Sequence, residues 1–297
     1  MKKTVFTGAA TAIITPMRED GAVNYDALGR LIDFQLENHI DAIVTCGTTG
    51  ESATLDHEEH CEVIRFTVDR IAGRVPVIAG TGSNDTAYSL ELSKEAEHMG
   101  ADALLLVSPY YNKTSQTGLV RHFTYVADRV NIPCILYNVP SRTGCNIKPE
   151  TYQALSKHPN IVATKEANGD LSAAAVTAAL CGDDLTIYSG NDDQVVPLLS
   201  LGGKGVISVF SNLLPQTMHD INALWFQGKH EESRKLFLQW LDLMNALFID
   251  VNPIPVKEAA NMLGMQAGPC RLPLTDMDEP SRQKLRGALE RHGLFAR

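Results

Sequence analysis

The stretch Ile161–Lys165, IVATK, contains the pattern that decides the fold of this chain. Four residues suited to a buried strand lead directly into a lysine. Similar short apolar runs recur along the chain and alternate with amphipathic stretches of helical length, which is typical of a parallel sheet covered by helices. We predict eight strands, at Ala9–Thr15, Ala42–Cys46, Val77–Gly80, Ala103–Val107, Cys134–Asn138, Ile161–Lys165, Leu185–Ser189 and Gly205–Val209.

The segments between these strands have the length and periodicity of helices. They are predicted at Tyr25–Asn38, Asp56–Ala72, Thr86–Met99, Gln116–Arg129, Lys148–Lys157, Leu171–Leu180, Gln194–Leu201 and Leu214–Gln227. Thr86 is the expected N-cap of the third helix, and Gly100 is expected to end it. Eight strand–helix units predict the α/β class and a (β/α)₈ TIM barrel. An open, doubly wound sheet is the alternative, but it should have a glycine-rich phosphate loop after the first strand, where this chain has Thr15-Pro16-Met17.

The chain is predicted to divide after the eighth unit. Residues 1–228 form the expected catalytic barrel, and residues 229–297 form the expected C-terminal helical domain. Helices in this second part are predicted at Glu231–Asp250, Val256–Leu263 and Ser281–Arg291. They contain no binding motif, so packing on the barrel or assembly is their expected role.

Charge and cysteine content exclude several classes of protein. The net charge is -9 with no basic cluster, which argues against binding of nucleic acid or of an acidic membrane surface. The six cysteines lack metal-type spacing, so reduced thiols and a cytoplasmic location are expected. Met1-Lys2-Lys3 could begin a signal peptide, but polar residues interrupt the sequence that follows, and no 18-residue apolar run exists. We therefore predict no membrane association.

Lys165 is the first candidate for chemistry. A low-dielectric site disfavours the charged form of a lysine, and a neutral amine can attack a ketone to give a Schiff base. The alternative is a structural lysine that extends to solvent or pairs with Glu166.

Other polar residues follow other strands at the same end of the expected barrel, where active sites of this fold lie. Gly47-Thr48-Thr49-Gly50-Glu51 follows the second strand, and its hydroxyls and amides suit a carboxylate. Tyr137 ends the fifth strand, and Arg142 follows it with a guanidinium that can bind a second carboxylate. The joint placement predicts that Lys165 attacks a 2-oxo acid while a nearby phenol transfers protons. A metal site at His57 and His60 is a weaker alternative because no third ligand is in view.

Four motifs resemble, in order, those of the pyruvate-dependent, class I aldolase-type lysine-barrel family, which also includes N-acetylneuraminate lyase. They are GTTGES at 47–52, SPYYNK at 108–113, YNVPSRTG at 137–144 and KEA at 165–167. Thr114 departs from the proline that many members have there, which affects no catalytic position. The chain is most similar to members that condense pyruvate with L-aspartate 4-semialdehyde, in the diaminopimelate route to lysine.

The resemblance implies a role for each matching residue. Lys165 would form the Schiff base, Tyr137 would be the central proton donor and acceptor, and Thr48 and Tyr111 would complete the relay. The implied substrate-binding residues are Thr49, Arg142, Ile207 and Gly190. No metal or other cofactor is implied. The implied assembly is a homotetramer, built as a dimer of dimers, in which Tyr111 reaches into the neighbouring subunit's site.

Two other functions stay open on the same barrel. N-acetylneuraminate lyase and sugar-acid aldolases share the lysine and tyrosine but generally lack the Ser-Arg-Thr-Gly continuation, so Arg142 favours the condensing enzyme. A catalytically idle binding protein is disfavoured because the matched catalytic positions are filled.

The resemblance also implies a site for feedback inhibition by lysine. The matching positions are Ser52, Ala53, His57, His60, Asn84, Tyr88 and Tyr110. Tyr88 stands where sensitive members have a glutamate, and a neutral phenol is a poorer partner for an ammonium group. We therefore predict weak or absent inhibition by lysine.

Overall fold

The computed structural model describes residues 2–296 and contains a closed barrel of eight parallel strands. Each strand pairs with the next along the chain, and the first pairs with the last. The strands are β1 (Gly8–Ala12), β2 (Ala42–Thr45), β3 (Val77–Gly80), β4 (Ala103–Val107), β5 (Cys134–Asn138), β6 (Ile161–Glu166), β7 (Thr186–Ser189) and β8 (Gly205–Ser208). The TIM barrel is thus confirmed, and the open sheet is excluded.

Helices cover the outside of the barrel. They are α1 (Tyr25–Glu37), α2 (His57–Ile71), α3 (Thr86–His98), α4 (Gln116–Ala127), α5 (Pro140–Thr143), α6 (Pro149–Leu155), α7 (Leu171–Cys181), α8 (Val195–Ser200) and α9 (Pro215–Phe226). Three further helices follow: α10 (His230–Ala246), α11 (Ile254–Met262) and α12 (Glu279–Arg291). Among the described residues, no helix combines the length and apolar character needed to cross a membrane.

The structure corrects two local predictions. Thr86 does not cap α3, because the side chain of Asp85 accepts the hydrogen bond from the backbone of Ala87 at 2.9 Å. The short helix α5 was not expected. It begins at Pro140, whose fixed φ suits the first helical position, and it ends at Gly144, where φ is +64°.

Buried apolar side chains form two main layers, one inside the barrel and one between the strands and the helices. The inner layer holds Ile135, Tyr137, Val162, Tyr188 and Ile207. Because side chains alternate along a strand, neighbouring residues of β5 and β6 face opposite layers. That alternation places Tyr137 and Lys165 inside the barrel and the residue after each of them outside it.

Candidate active site

Lys165 and Tyr137 lie side by side at the carboxyl ends of adjacent strands. They are paired residues in the β5–β6 register, and both are about 95% buried, with relative exposures of 5% and 6%. The Lys165 Nζ atom lies 4.3 Å from the centroid of the Tyr137 ring. An amine and a phenol are therefore held together in a water-poor site, which is the arrangement that Schiff-base chemistry with proton transfer needs.

Glu166 does not serve as the partner of Lys165. Its carboxylate faces the outer layer, where it accepts hydrogen bonds from Asn138 Nδ2 at 3.0 Å and the Tyr152 hydroxyl at 2.9 Å. The sequence-based alternative of a Lys165–Glu166 pair is therefore wrong.

Gly190 gives Lys165 the space it occupies. A Cβ atom at position 190 would lie 3.2 Å from Cγ of Lys165 and 2.7 Å from Cβ of Ala167. The predicted substrate-binding position thus lies directly against the lysine side chain. Ile207, the other predicted position on this side, is fully buried on β8 in the inner layer.

The loop after β2 is a tight turn stabilised by its own backbone. The carbonyl of Gly47 accepts the amide of Gly50 at 3.1 Å, and the carbonyl of Thr48 accepts the amide of Glu51 at 3.1 Å. Thr49 is buried, and its hydroxyl accepts a hydrogen bond from Nδ2 of Asn252 at 3.0 Å.

Arg142 lies on α5 and is exposed at the mouth of the barrel. Its Nη2 atom donates to the carbonyl oxygen of Asn252 at 3.0 Å. Asn252 therefore touches both Thr49 and Arg142, and it comes from the segment between α10 and α11. Asn252 was not predicted from the sequence, because it lies in the C-terminal region, which contains no binding motif.

A cavity of about 430 Å³ opens beside these residues. Thr48, Arg142 and Asn252 line one part of it. Five candidates for the lysine site also line it: Ser52, Ala53, His60, Tyr88 and Tyr110. The other two candidates, His57 and Asn84, are outside this lining, although the ring of His57 lies 5.9 Å from that of Tyr88.

Tyr111, another catalytic candidate, lies on the surface. Its side chain is 91% exposed, and its backbone has a φ of +65°, which is strained for a residue with a Cβ atom. The single chain therefore does not bring Tyr111 to Lys165.

A buried carboxylate and a buried histidine near the site both have a shifted pKa. Burial raises the pKa of Asp192, while Oδ2 accepts the backbone amides of Val209 and Phe210 just after β8. Burial lowers the pKa of His60, whose Nε2 lies 2.8 Å from the carbonyl of Gly80. A ring that donates to a carbonyl cannot bind a metal through that nitrogen. Residues 2–296 contain no cluster of three or more His, Cys, Asp or Glu side chains placed to hold a metal ion.

Comparison with known proteins gives a consistent result over the whole chain. The model of the dihydrodipicolinate synthetase family matches residues 5–292. The 4-hydroxy-tetrahydrodipicolinate synthase of Acetivibrio thermocellus is 55% identical over 295 residues, which cover 99% of this chain and 100% of that protein.

Two solved structures are also similar. The chloride-inhibited dihydrodipicolinate synthase of Acinetobacter baumannii, complexed with pyruvate, has a TM-score of 0.96 and 40% identity, covering 98% of this chain and 100% of that one. The enzyme of Cyanidioschyzon merolae, with lysine bound, has a TM-score of 0.95 and 41% identity, with coverage of 98% and 100%.

Proposed function

This chain belongs to the dihydrodipicolinate synthetase family, and we propose that it performs the family's reaction through a Schiff base at Lys165. Its function is that of a 4-hydroxy-tetrahydrodipicolinate synthase, a lyase of diaminopimelate and lysine synthesis. The relationship favours this function over the N-acetylneuraminate lyase alternative. The substrates in the proposal are pyruvate and L-aspartate 4-semialdehyde, and the enzyme would be classed as a carbon–oxygen lyase.

The observation that carries the mechanism is the buried pair of Lys165 and Tyr137. The lysine amine attacks the ketone carbon of pyruvate, and the carbinolamine loses water to give an imine. Tyr137 supplies and removes the protons of these steps. Loss of a proton from the methyl group gives an enamine, whose carbon forms the new bond to the aldehyde of the second substrate. The semialdehyde's own amine then displaces Lys165 and closes the ring.

The other candidates have supporting roles in this mechanism. Thr48 and Thr49 hold the carboxylate of pyruvate, together with the backbone near Ile207, and Gly190 leaves room for the adduct. Arg142 binds the carboxylate of the semialdehyde. The imine is itself the electron sink, so the proposal requires no metal or other cofactor.

We extend the proposal to assembly and location. The exposed and strained Tyr111 supports a role in a neighbouring subunit's site, within a homotetramer built as a dimer of dimers. Six free thiols support a cytoplasmic location. The net charge of -9 supports small-molecule substrates rather than nucleic acid or a membrane surface as partners.

Reduction with borohydride in the presence of pyruvate tests the mechanism. The protein should gain one reduced pyruvate adduct per chain, at Lys165, and Lys165→Ala should gain none. An adduct on another lysine would overturn the assignment. Lys157→Ala is the matched control, because Lys157 is exposed and pairs with Asp184 on the surface. Consumption of pyruvate that depends on the semialdehyde then tests the second substrate.

A further inference from the structure

A buried carboxylate lies directly behind the reactive pair. Glu166 follows Lys165 on β6, is 4% exposed, and is the register partner of Asn138, which follows Tyr137 on β5. The register pair Tyr137 and Lys165 thus faces the barrel interior. The next pair, Asn138 and Glu166, faces outward, and its side chains hydrogen-bond across the same two strands.

The Glu166 carboxylate accepts hydrogen bonds at both of its oxygen atoms. Oε1 accepts from Asn138 Nδ2 at 3.0 Å and from the amide of Asn168 at 2.9 Å. Oε2 accepts from the Tyr152 hydroxyl at 2.9 Å and from Asn138 Nδ2 at 3.3 Å. This arrangement suits an ionised carboxylate, which is an acceptor only.

The donors are themselves fixed by further contacts. Asn138 Nδ2 also donates to Asn146 Oδ1 at 2.8 Å, and Asn138 Oδ1 accepts the amide of Ile147 at 3.0 Å. The Tyr152 hydroxyl accepts from the hydroxyl of Thr164 at 3.0 Å. The network therefore connects β5, β6, α6 and the loop before α6.

We infer that Glu166 is a positioning residue that holds Tyr137 and Lys165 at the spacing their proton transfer requires. The backbone ladder already joins β5 and β6, so strand pairing does not need a buried carboxylate. A buried anion without a cation is costly, and the groups that donate hydrogen bonds to Glu166 are uncharged amides and a hydroxyl. A displacement of about 1 Å at a reacting group can cost ~10²-fold in rate, so a rigid tie at this position has a catalytic effect. The inference rests on the proposed roles of Lys165 and Tyr137.

The carboxylate is also sensitive to pH in the neutral range. Burial raises the pKa of Glu166 to about 7, against the opposing effect of its hydrogen-bond donors from Asn138, Tyr152 and the backbone. The side chains that face it are uncharged: Asn138 from β5, Tyr152 from α6 and Thr164 from β6. Lys165 is next to it in sequence but faces the barrel interior. Below pH 7 a protonated carboxyl loses one acceptor position, so the hydrogen bonds that Glu166 accepts from Asn138 and Tyr152 weaken.

Glu166→Gln tests the inference, because the amide keeps the size of the side chain but turns an NH₂ group toward hydrogen-bond donors. At pH 8 we expect kcat to fall about 10- to 100-fold while KM for pyruvate changes less than about twofold. The acid limb of the wild-type kcat profile near pH 7 should disappear in the variant. Borohydride should still trap pyruvate at Lys165, more slowly than in the wild type.

Two further variants separate positioning from stability. Ser93→Ala is the matched control, because Ser93 on α3 is fully buried and bonded at 2.8 Å to Thr81, just after β3 and away from the pair. It should lower thermal stability without changing kcat or the pH profile. Tyr152→Phe removes one donor, keeps the carboxylate, and should lower kcat several-fold at unchanged KM, even where Glu166→Gln fails to fold.

Wild-type kcat in Glu166→Gln would overturn the inference, as would wild-type kcat in Tyr152→Phe if the first variant does not fold. A loss of kcat that only follows the loss of thermal stability, as in Ser93→Ala, would also overturn it. Failure of the wild-type protein to be trapped by pyruvate would instead contradict the proposed function, so the two failures are distinguishable.

Discussion

Tyr137 offers a direct test of proton transfer, because its hydroxyl has the proposed catalytic role and its ring has the packing role. Tyr137→Phe keeps the ring in the inner layer and removes only the hydroxyl. We expect the fold to be kept and kcat to fall about 10²- to 10⁴-fold, the usual effect of losing a positioned acid–base group. Steady-state rates and thermal unfolding measure the two effects. Tyr25→Phe, on α1 against Phe66, is the control and should keep full activity. Near-normal turnover in Tyr137→Phe would reduce Tyr137 to a packing residue.

Arg142 is expected to affect mainly the second half of the reaction. Its guanidinium lies at the mouth and bonds to Asn252, whereas the proposed pyruvate site is at Thr48 and Thr49. Arg142→Ala should therefore slow the semialdehyde-dependent step much more than trapping by pyruvate and borohydride. Arg142→Lys keeps the charge but loses the bidentate geometry of the guanidinium. The rate of its semialdehyde-dependent step should lie between those of the wild type and Arg142→Ala. Equal damage to both half-reactions would contradict this division.

Tyr88 is expected to determine the response to lysine. The residue lines the cavity beside His60 and Tyr110, and burial raises the pKa of its phenol, which stays neutral. An ammonium group leaving water needs a charged or hydrogen-bonding partner, and a phenol is a weak substitute for a carboxylate. Lysine up to millimolar concentration should therefore inhibit weakly or not at all, in a direct titration of activity.

Tyr88→Glu is the matched variant for that titration and should gain sensitivity to lysine. Strong inhibition of the wild-type enzyme at low micromolar lysine would show that another acceptor in the cavity binds the ammonium group.

The secondary structure was largely predictable because local signals agree with the fold. β3, β4 and β5 have the predicted bounds, since continuous apolar runs end at polar loops there. Thr86 was wrongly chosen as a cap because Asp85 and Thr86 are both good capping residues and periodicity alone cannot choose between them.

The catalytic lysine and tyrosine were predictable because strand ends of a barrel meet at one mouth. Asn252 was not, because its contacts with Thr49 and Arg142 require the chain to return about 110 or more residues later. Glu166 was noticed only as a possible partner of Lys165. The side to which it turns depends on strand register, which the structure supplies.

The C-terminal helices are joined to the barrel mouth by a buried ion pair. Lys257, on α11, donates to Glu51 Oε1 at 2.7 Å, and both side chains are about 98% buried, at 2% and 1% exposure. Lys257 also donates to the carbonyls of Thr15 and Pro269, and Glu51 Oε2 accepts the amide of Arg271. Glu51 closes the turn that holds Thr48 and Thr49, so this pair connects the helical extension to the proposed pyruvate site.

Breaking that pair from one side should be strongly destabilising. Lys257→Met leaves a buried carboxylate without its cation, and we expect the free energy of unfolding to fall by about 3–5 kcal/mol. Urea denaturation measures this change. Arg65→Ala, which breaks the exposed pair with Glu62, should cost less than about 1 kcal/mol. A loss below 1 kcal/mol in Lys257→Met would show that the pair contributes little to attaching the extension.

The barrel has two separate kinds of surface available for assembly. Tyr111 is exposed near the catalytic mouth, whereas α7 is apolar almost throughout and exposes Leu171 and Val176 at 36% and 46%. Leu238 on α10 is 49% exposed, and both helices pack against α8. A dimer of dimers needs two different symmetric interfaces, and these two surfaces can provide them.

Val176→Glu should therefore split the proposed tetramer into dimers, because a charge in an apolar contact must be desolvated on association. Sedimentation velocity measures the change in mass, and trapping by pyruvate should persist because Lys165 is not involved. Leu272→Glu is the control, since Leu272 is 77% exposed on a loop and its change should leave the assembly intact.

In contrast, Tyr111→Phe should lower turnover without changing the mass of the assembly. A Val176→Glu protein that remains tetrameric would exclude α7 from the interface, and a wild-type monomer would remove the proposed role of Tyr111 in a neighbouring site.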